Sequence, residues 1–257
     1  MALLQTAHYR LLDPGPDSGP LADEALLAQA ADGPVACLWQ APQGLVVPRT
    51  YAARPGFAKA QTAFAAQGWP IQVRQSGGGI VPQGPGILNI SLAQVFQGRP
   101  LDHSEALYQH LCGLIATALL FFGIETHAQA VEGSFCDGRY NLAIGSPARK
   151  IAGTAQWWRR LPAGQTVTQQ DERQIGLVHA LILLQCNTIL ATDLANALET
   201  ALDAPRRYAA EKAISLDLLL PAAERAGFPA RFQHRLADTV RSSTALGAGS
   251  GCCTATR

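Results

Sequence analysis

Ile71-Gln72-Val73-Arg74-Gln75-Ser76-Gly77-Gly78-Gly79-Ile80-Val81 is the stretch on which the reading of this chain turns. A short apolar run enters three consecutive glycines and leaves through a second apolar pair. The pattern predicts a strand over Ile71–Arg74 feeding a loop with no side chains to shield its backbone. Glycines reach positive φ without strain, and their unshielded N–H groups can approach an anion or a carbonyl closely. Arg74 adds a guanidinium fork at the entry. No Gly-Lys-Ser/Thr follows and no Gly-x-Gly-x-x-Gly forms, so the loop is neither a P-loop nor a dinucleotide fingerprint. Taken alone, it also fits a plain turn between strands.

Outward from this loop, the upstream residues predict a helix over Leu21–Ala31, a hairpin of strands Val35–Gln40 and Leu45–Val47 around Pro42-Gln43-Gly44, and a helix over Phe57–Gln67 closed by Gly68. Downstream, Ile80-Val81 and Ile87–Leu92 predict strands. Asp102-His103-Ser104-Glu105 has the spacing of a capping box and opens an apolar helix through Phe122, stopped by Gly123. Its run Leu111–Ile124 would span only ~21 Å as a helix, short of a bilayer core, so a buried helix is predicted. A strand is predicted over Ala128–Ala130. Tyr140–Ile144 and Lys150–Ala155 predict strands joined by Gly145-Ser146-Pro147-Ala148. Asp171–Leu184 reads as mixed strand and helix, and helices follow over Asp193–Leu202, Tyr208–Lys212, Asp217–Arg225 and Phe232–Val240. The expectation is an α/β (α+β) architecture: a mixed β-sheet flanked by helices with a helical C-terminal part from about residue 168. One domain is expected over residues 1–246, with a frayed tail over 247–257.

The 257 residues are 48% apolar and 15% charged, with net charge +1. That balance supports a buried core and gives no basic field for nucleic acid. Met1–Arg10 has no apolar signal segment, so the six cysteines are read as reduced thiols of a cytoplasmic protein. They form no Cys-x-x-Cys pair and no zinc spacing with histidine, so no metal site is expected.

Among the thiols, Cys136 stands apart. It lies in Gly133-Ser134-Phe135-Cys136-Asp137-Gly138-Arg139-Tyr140, a glycine-bounded loop. Cys112 and Cys186, in what read as apolar helical runs, and Cys37, in a strand, read as packing thiols. Cys252 and Cys253 fall in the expected tail. If the strand–turn–strand forms, Lys150 pairs back near Asn141–Ala143, close to the Cys136 loop. An ammonium beside a thiol favours the thiolate; in isolation, a lysine is more commonly a solvated surface residue. No histidine shows a nucleophilic partner. His179 reads as a structural imidazole, and no Ser/His/Asp or Gly-x-Ser-x-Gly pattern supports a histidine-based hydrolase.

Three segments in order carry a resemblance: Arg74-x-Ser76-Gly77-Gly78-Gly79-x-Val81, Gly138-Arg139-Tyr140-Asn141-Leu142 and Arg149-Lys150-Ile151-Ala152-Gly153-Thr154-Ala155-Gln156. Together they resemble the lipoate/octanoate-protein transferase and ligase family, which shares its catalytic fold with biotin protein ligases. The Cys136 stretch is most similar to the cysteine-type branch that moves octanoyl from glycine-cleavage H protein to other lipoyl domains. The resemblance implies Cys136 as nucleophile and Lys150 as the residue that stabilises its thiolate and takes part in proton transfer. It implies substrate contacts from Arg74, Ser76, Gly77, Gly78, Gly79, Gln83, Gly138, Tyr140, Asn141, Gly153, Thr154 and Ala155. An acyl tunnel would be lined by Ile71, Val73, Ile80 and Leu142. No cofactor is implied, the octanoyl or lipoyl group being substrate. The implied partner is a lipoyl-domain carrier such as glycine-cleavage H protein or the acyltransferase subunit of a 2-oxoacid dehydrogenase, with an acyl-carrier protein as a further donor; nucleic acid and membrane are not implied.

The chain departs from the family pattern at Val73, where an Arg is frequent, at Gln83, where His is usual, and at Asn141, where ATP-dependent ligases carry Asp. A neutral amide is a poorer Mg²⁺ partner than a carboxylate. The alternatives left by the sequence are an ATP-dependent lipoate ligase, using ATP and Mg²⁺, and a family member without catalysis.

Overall fold

The computed structural model describes residues 7–15, 19–161 and 173–247. Its strands are β1 (Arg10–Leu12), β2 (Val35–Trp39), β3 (Gly44–Pro48), β4 (Ile71–Arg74), β5 (Val81–Gln83), β6 (Ile87–Gln97), β7 (His127–Ala128), β8 (Leu142–Ile144), β9 (Arg149–Arg160) and β10 (Arg173–Leu183). Its helices are α1 (Pro20–Gln29), α2 (Arg49–Ala52), α3 (Phe57–Ala66), α4 (Pro100–Leu120), α5 (Thr188–Ala201), α6 (Ala222–Arg225) and α7 (Phe228–Ser242). The strands make a large mixed sheet, ordered β1-β2-β6-β10-β9-β8-β7, and a small one, ordered β4-β3-β5.

The long antiparallel pair β6–β10 sets the frame, running in register from Ile87↔Leu183 to Gln97↔Arg173. Side chains alternate across a strand, so this register sorts the two faces. Leu88, Ile90, Leu92, Val178, Ala180 and Ile182 enter the core under α4 and α7. On α7, Phe228, Phe232, Leu236 and Val240 recur every four residues and form one buried stripe against that core. The opposite face carries Asn89 and Ser91 on β6 and His179 and Leu181 on β10. Against it pack α1 at one end and the small sheet with α3 and α5 at the other. The polar residues of the sheet therefore meet the glycine loop in the space between the sheets.

Several expectations are corrected here. Val35–Gln40 and Leu45–Val47 do not pair as a hairpin. β2 lies between β1 and β6 in the large sheet, while β3 lies between β4 and β5 in the small one. Both strands are buried throughout, so each needs neighbours on both sides, and the Pro42–Gly44 turn carries the chain from one sheet to the other. Asp102 caps nothing: α4 begins at Pro100, a position that suits a residue lacking an N–H, and Asp102 instead pairs with Arg99 at 3.0 Å.

The mixed segment Asp171–Leu184 is strand over its described residues 173–183. Being covered on both faces, β10 reads as one apolar run, which periodicity cannot separate from a helix. The helical part thus begins at α5, and Cys186 sits in the turn after β10 rather than in a helix. Of the expected tail, only Gly247 is among the described residues, and Cys252 and Cys253 lie outside them. Among the described residues, no helix is long and apolar enough to cross a membrane.

Candidate active site

The Cys136 loop is held in an unusual backbone. Cys136 itself has φ 51°, a left-handed conformation that costs a non-glycine residue roughly 1–3 kcal/mol and persists only where the surroundings enforce it. Its carbonyl is the anchor. It accepts the Gly138 N–H at 2.9 Å, Asn141 Nδ2 at 3.1 Å and Lys150 Nζ at 2.7 Å. Lys150 also donates to the Phe135 carbonyl at 2.6 Å, and its ammonium lies 5.0 Å from the Phe135 ring centroid.

The predicted register is present: β8 and β9 pair Ala143 with Lys150, directing the lysine under the loop. Lys150 is fully buried. Burial pushes its ammonium down to about 8; Cys136 and Asp137 act to raise it and Arg74 to lower it further. Asn141 explains its own departure from the ligase pattern, since a carboxylate at that position could not donate to the Cys136 carbonyl.

The glycine loop meets the sulfur from the other side. The Gly79 N–H donates to Cys136 Sγ at 3.2 Å. Arg74, also buried, directs its donors into its own loop: Nη2 to the Gly77 and Gly79 carbonyls, both at 2.8 Å, Nη1 to the Val46 carbonyl at 3.1 Å, and Nε to Ser76 Oγ at 3.1 Å. It therefore shapes the loop that holds the sulfur. Burial lowers the Arg74 pKa, and the nearby Cys136 and Asp23 act to raise it.

Gly78 has φ 106°, and a Cβ there would lie 2.9 Å from Cys136 Sγ and 3.0 Å from Arg74 Nη2. Gly78→Ala should therefore cost about 1–3 kcal/mol and displace the sulfur; a thermal melt together with the rate of Cys136 alkylation checks it. Gly153 is constrained in the same way, because a Cβ would fall 2.7 Å from Lys150 Nζ.

Cys136 lines a narrow cleft between the two sheets. Of the sequence-predicted residues, Arg74, Gln83, Gly153, Thr154 and Ala155 line it with Cys136. Ser76 lines a smaller recess that shares Pro20, Asp23 and Arg74 with the cleft. Gln83 is locked by two hydrogen bonds to Asn89, at 2.9 and 3.0 Å.

Gly138 and Tyr140 lie outside the cleft. Gly138 is exposed, and Tyr140 stacks on Tyr108 at 4.6 Å between ring centroids. Lys150 is beneath the loop rather than in the cleft wall. The expected tunnel lining is corrected too: Ile71, Val73, Ile80 and Leu142 are absent from the wall, whose apolar part is Trp39, Val46, Val81, Ala180 and Leu181. Ile71 and Ile80 pack in the core between the sheets, and Leu142 packs on the far side under α4.

Sequence reasoning missed Asp23 and His179. Both line the cleft, and the structure brings them together with Ser76 despite the absence of any Ser/His/Asp pattern in the sequence. Tyr208 and Ala213, from the segment after α5, pack with Phe135 and Cys136, so the C-terminal part forms the outer support of the site. Buried Glu199 ties that support down by accepting from Tyr51 Oη at 2.6 Å and Tyr208 Oη at 2.7 Å.

The large mixed sheet flanked by helices is the fold of solved lipoate-protein ligases. A bi-partite lipoate protein ligase from Thermoplasma acidophilum superposes with a TM-score of 0.57 at 15% identity, over 91% of this chain and 84% of that one. The chain belongs to the family of lipoyl protein ligase A/B catalytic domains, whose model matches residues 21–210, and it is an enzyme of the lipoate/octanoate protein ligase and transferase type. An uncharacterised protein of Cupriavidus necator is 49% identical over 88% of this chain and 91% of its own length. The octanoyl-GcvH:protein N-octanoyltransferase of Kyrpidia tusciae is 36% identical over 59% of this chain and 50% of its own length. The chain thus matches half of that relative.

Proposed function

We propose that this enzyme transfers an octanoyl or lipoyl group to a lysine of lipoyl-carrier proteins through an acyl-Cys136 intermediate. One observation carries the reading: the Cys136 sulfur, fixed by the Gly79 N–H, faces a cleft between two sheets while the Lys150 ammonium is held directly beneath its loop. In the first step the sulfur attacks the donor's acyl carbonyl and expels the donor group. In the second, the carrier lysine attacks the thioester carbon and returns the sulfur to its resting state. Two steps of this kind suit a sulfur nucleophile with a fixed cation nearby.

The enzyme then needs neither ATP nor metal, and it acts in the cytoplasm on carriers such as glycine-cleavage H protein. The support is the Kyrpidia relative's name together with the Asn141–Cys136 contact, which an Asp of the ligase pattern would not make. The test mixes the enzyme with octanoylated glycine-cleavage H protein and an apo lipoyl domain, without ATP, and follows the mass of the domain. Octanoyl on the domain lysine is expected. Transfer only from free acid with ATP would instead identify a ligase.

A further inference from the structure

In the cleft that Cys136 lines, and the recess adjoining it, lies a second polar chain that the two-step scheme has not used. Ser76 Oγ and His179 Nε2 are 2.8 Å apart, and His179 Nδ1 is 2.7 Å from Asp23 Oδ2. The other Asp23 oxygen accepts Ser91 Oγ at 2.6 Å, and Ser91 in turn accepts Trp39 Nε1 at 3.1 Å. Asp23, Ser76 and Ser91 are buried. The carboxylate can only accept, so Nδ1 carries a proton; a neutral ring so oriented turns its Nε2 lone pair to the Ser76 hydroxyl. That is the orientation required of a base that draws a proton through a hydroxyl.

Lys150 is poorly placed for this task. It is fully buried, two of its three N–H groups are on the Phe135 and Cys136 carbonyls, and it does not line the cleft. An amine entering the cleft meets His179 and Asp23 instead, with Ser76 in the adjoining recess. The charged groups facing this chain are Asp23 itself and Arg74, whose Nε donates to Ser76 Oγ.

We propose that Asp23, His179 and Ser76 form the proton relay of the second half-reaction, taking the proton from the carrier amine as it attacks acyl-Cys136. This rests on the acyl-enzyme reading above. The carrier lysine first loses one proton to solvent. Its lone pair then forms the C–N bond. The second nitrogen proton passes to Ser76 Oγ as the Ser76 proton moves to His179 Nε2, where Asp23 balances the new charge. The C–S electron pair returns to Cys136, beside the Gly79 N–H, with the Lys150 ammonium held on the Cys136 carbonyl. His179 finally releases its proton to solvent. Run in reverse, the same relay protonates a departing amine, whereas a departing thiolate needs no such help.

The test separates the half-reactions in the intact enzyme. Cys136 is acylated from the octanoyl thioester of N-acetylcysteamine, then chased either with an apo lipoyl domain or with hydroxylamine, a weakly basic amine whose nitrogen, once bonded to the acyl carbon, is acidic enough to give its second proton directly to water. His179→Gln and Asp23→Asn are both expected to form the acyl-enzyme. Both should then deliver it to the lipoyl lysine about 10²-fold or more slowly than wild type, yet to hydroxylamine at a rate close to wild type. Equal slowing towards both amines in both variants would make the cluster merely structural and overturn the proposal, as would undiminished transfer to the lysine. Failure of the wild type itself to acylate would remove the acyl-enzyme reading and this proposal together, an outcome distinct from the other two.

Discussion

Cys136→Ala is expected to abolish acyl transfer, by about 10⁴-fold or more, because it removes the one thiol among the residues lining the cleft. The substitution removes a single sulfur atom from a loop whose shape is set elsewhere. The Cys136 carbonyl keeps its contacts from Gly138, Asn141 and Lys150, and alanine inherits the same left-handed backbone. The protein should therefore melt near the wild-type temperature while carrying no acyl group. Loss of activity together with loss of the fold would point to a packing role instead, as for Cys112, whose thiol is pushed up to about 11 by burial. Calorimetry alongside the transfer assay distinguishes the two.

The second large effect is at Lys150. Lys150→Met is expected to slow acyl-enzyme formation by about 10²–10³-fold, the usual scale for removing one fixed electrostatic partner of a reacting group. Two losses act together: the charge beneath the Cys136 loop, and the donor that pins the Phe135 and Cys136 carbonyls. Stability should suffer less than activity, because methionine of similar length needs no charge in that buried position.

The same residue gives the wild type a pH signature. A lysine titrating near 8 is an ammonium below that pH and neutral above it. Acyl-enzyme formation should accordingly fall as pH rises through about 8, although higher pH alone would make thiols more nucleophilic. A rate of Cys136 acylation from a thioester donor that keeps climbing to pH 9.5 would contradict the role given to Lys150.

The sequence made the site's spine readable because its parts are local. The Arg74–Gly79 loop, the Cys136 loop and the strand–turn–strand bringing Lys150 back against Ala143 each lie within a few residues of their own signal. What escaped was non-local. His179 lies in an apolar strand buried on both faces, where nothing in the periodicity marks a polar partner across the sheet. Its neighbours arrive from α1 and from the glycine loop, 103 residues earlier in the case of Ser76. The pairing of β2 and β3 into different sheets was hidden for a related reason. Two apolar runs around a Pro-Gln-Gly turn carry the same local signal whether they pair with each other or diverge. The cleft wall likewise followed tertiary packing: Leu142 is close in sequence to Cys136 yet turns towards α4, and Leu181 is distant in sequence yet faces the cleft.

The most direct measurement is the intact mass of the enzyme after brief mixing with an octanoyl thioester, followed by peptide mapping. One octanoyl group per chain on Cys136, removed when an apo lipoyl domain is added, is the expected result. An unmodified chain that nonetheless octanoylates the domain, or an adduct on any other residue, would contradict it.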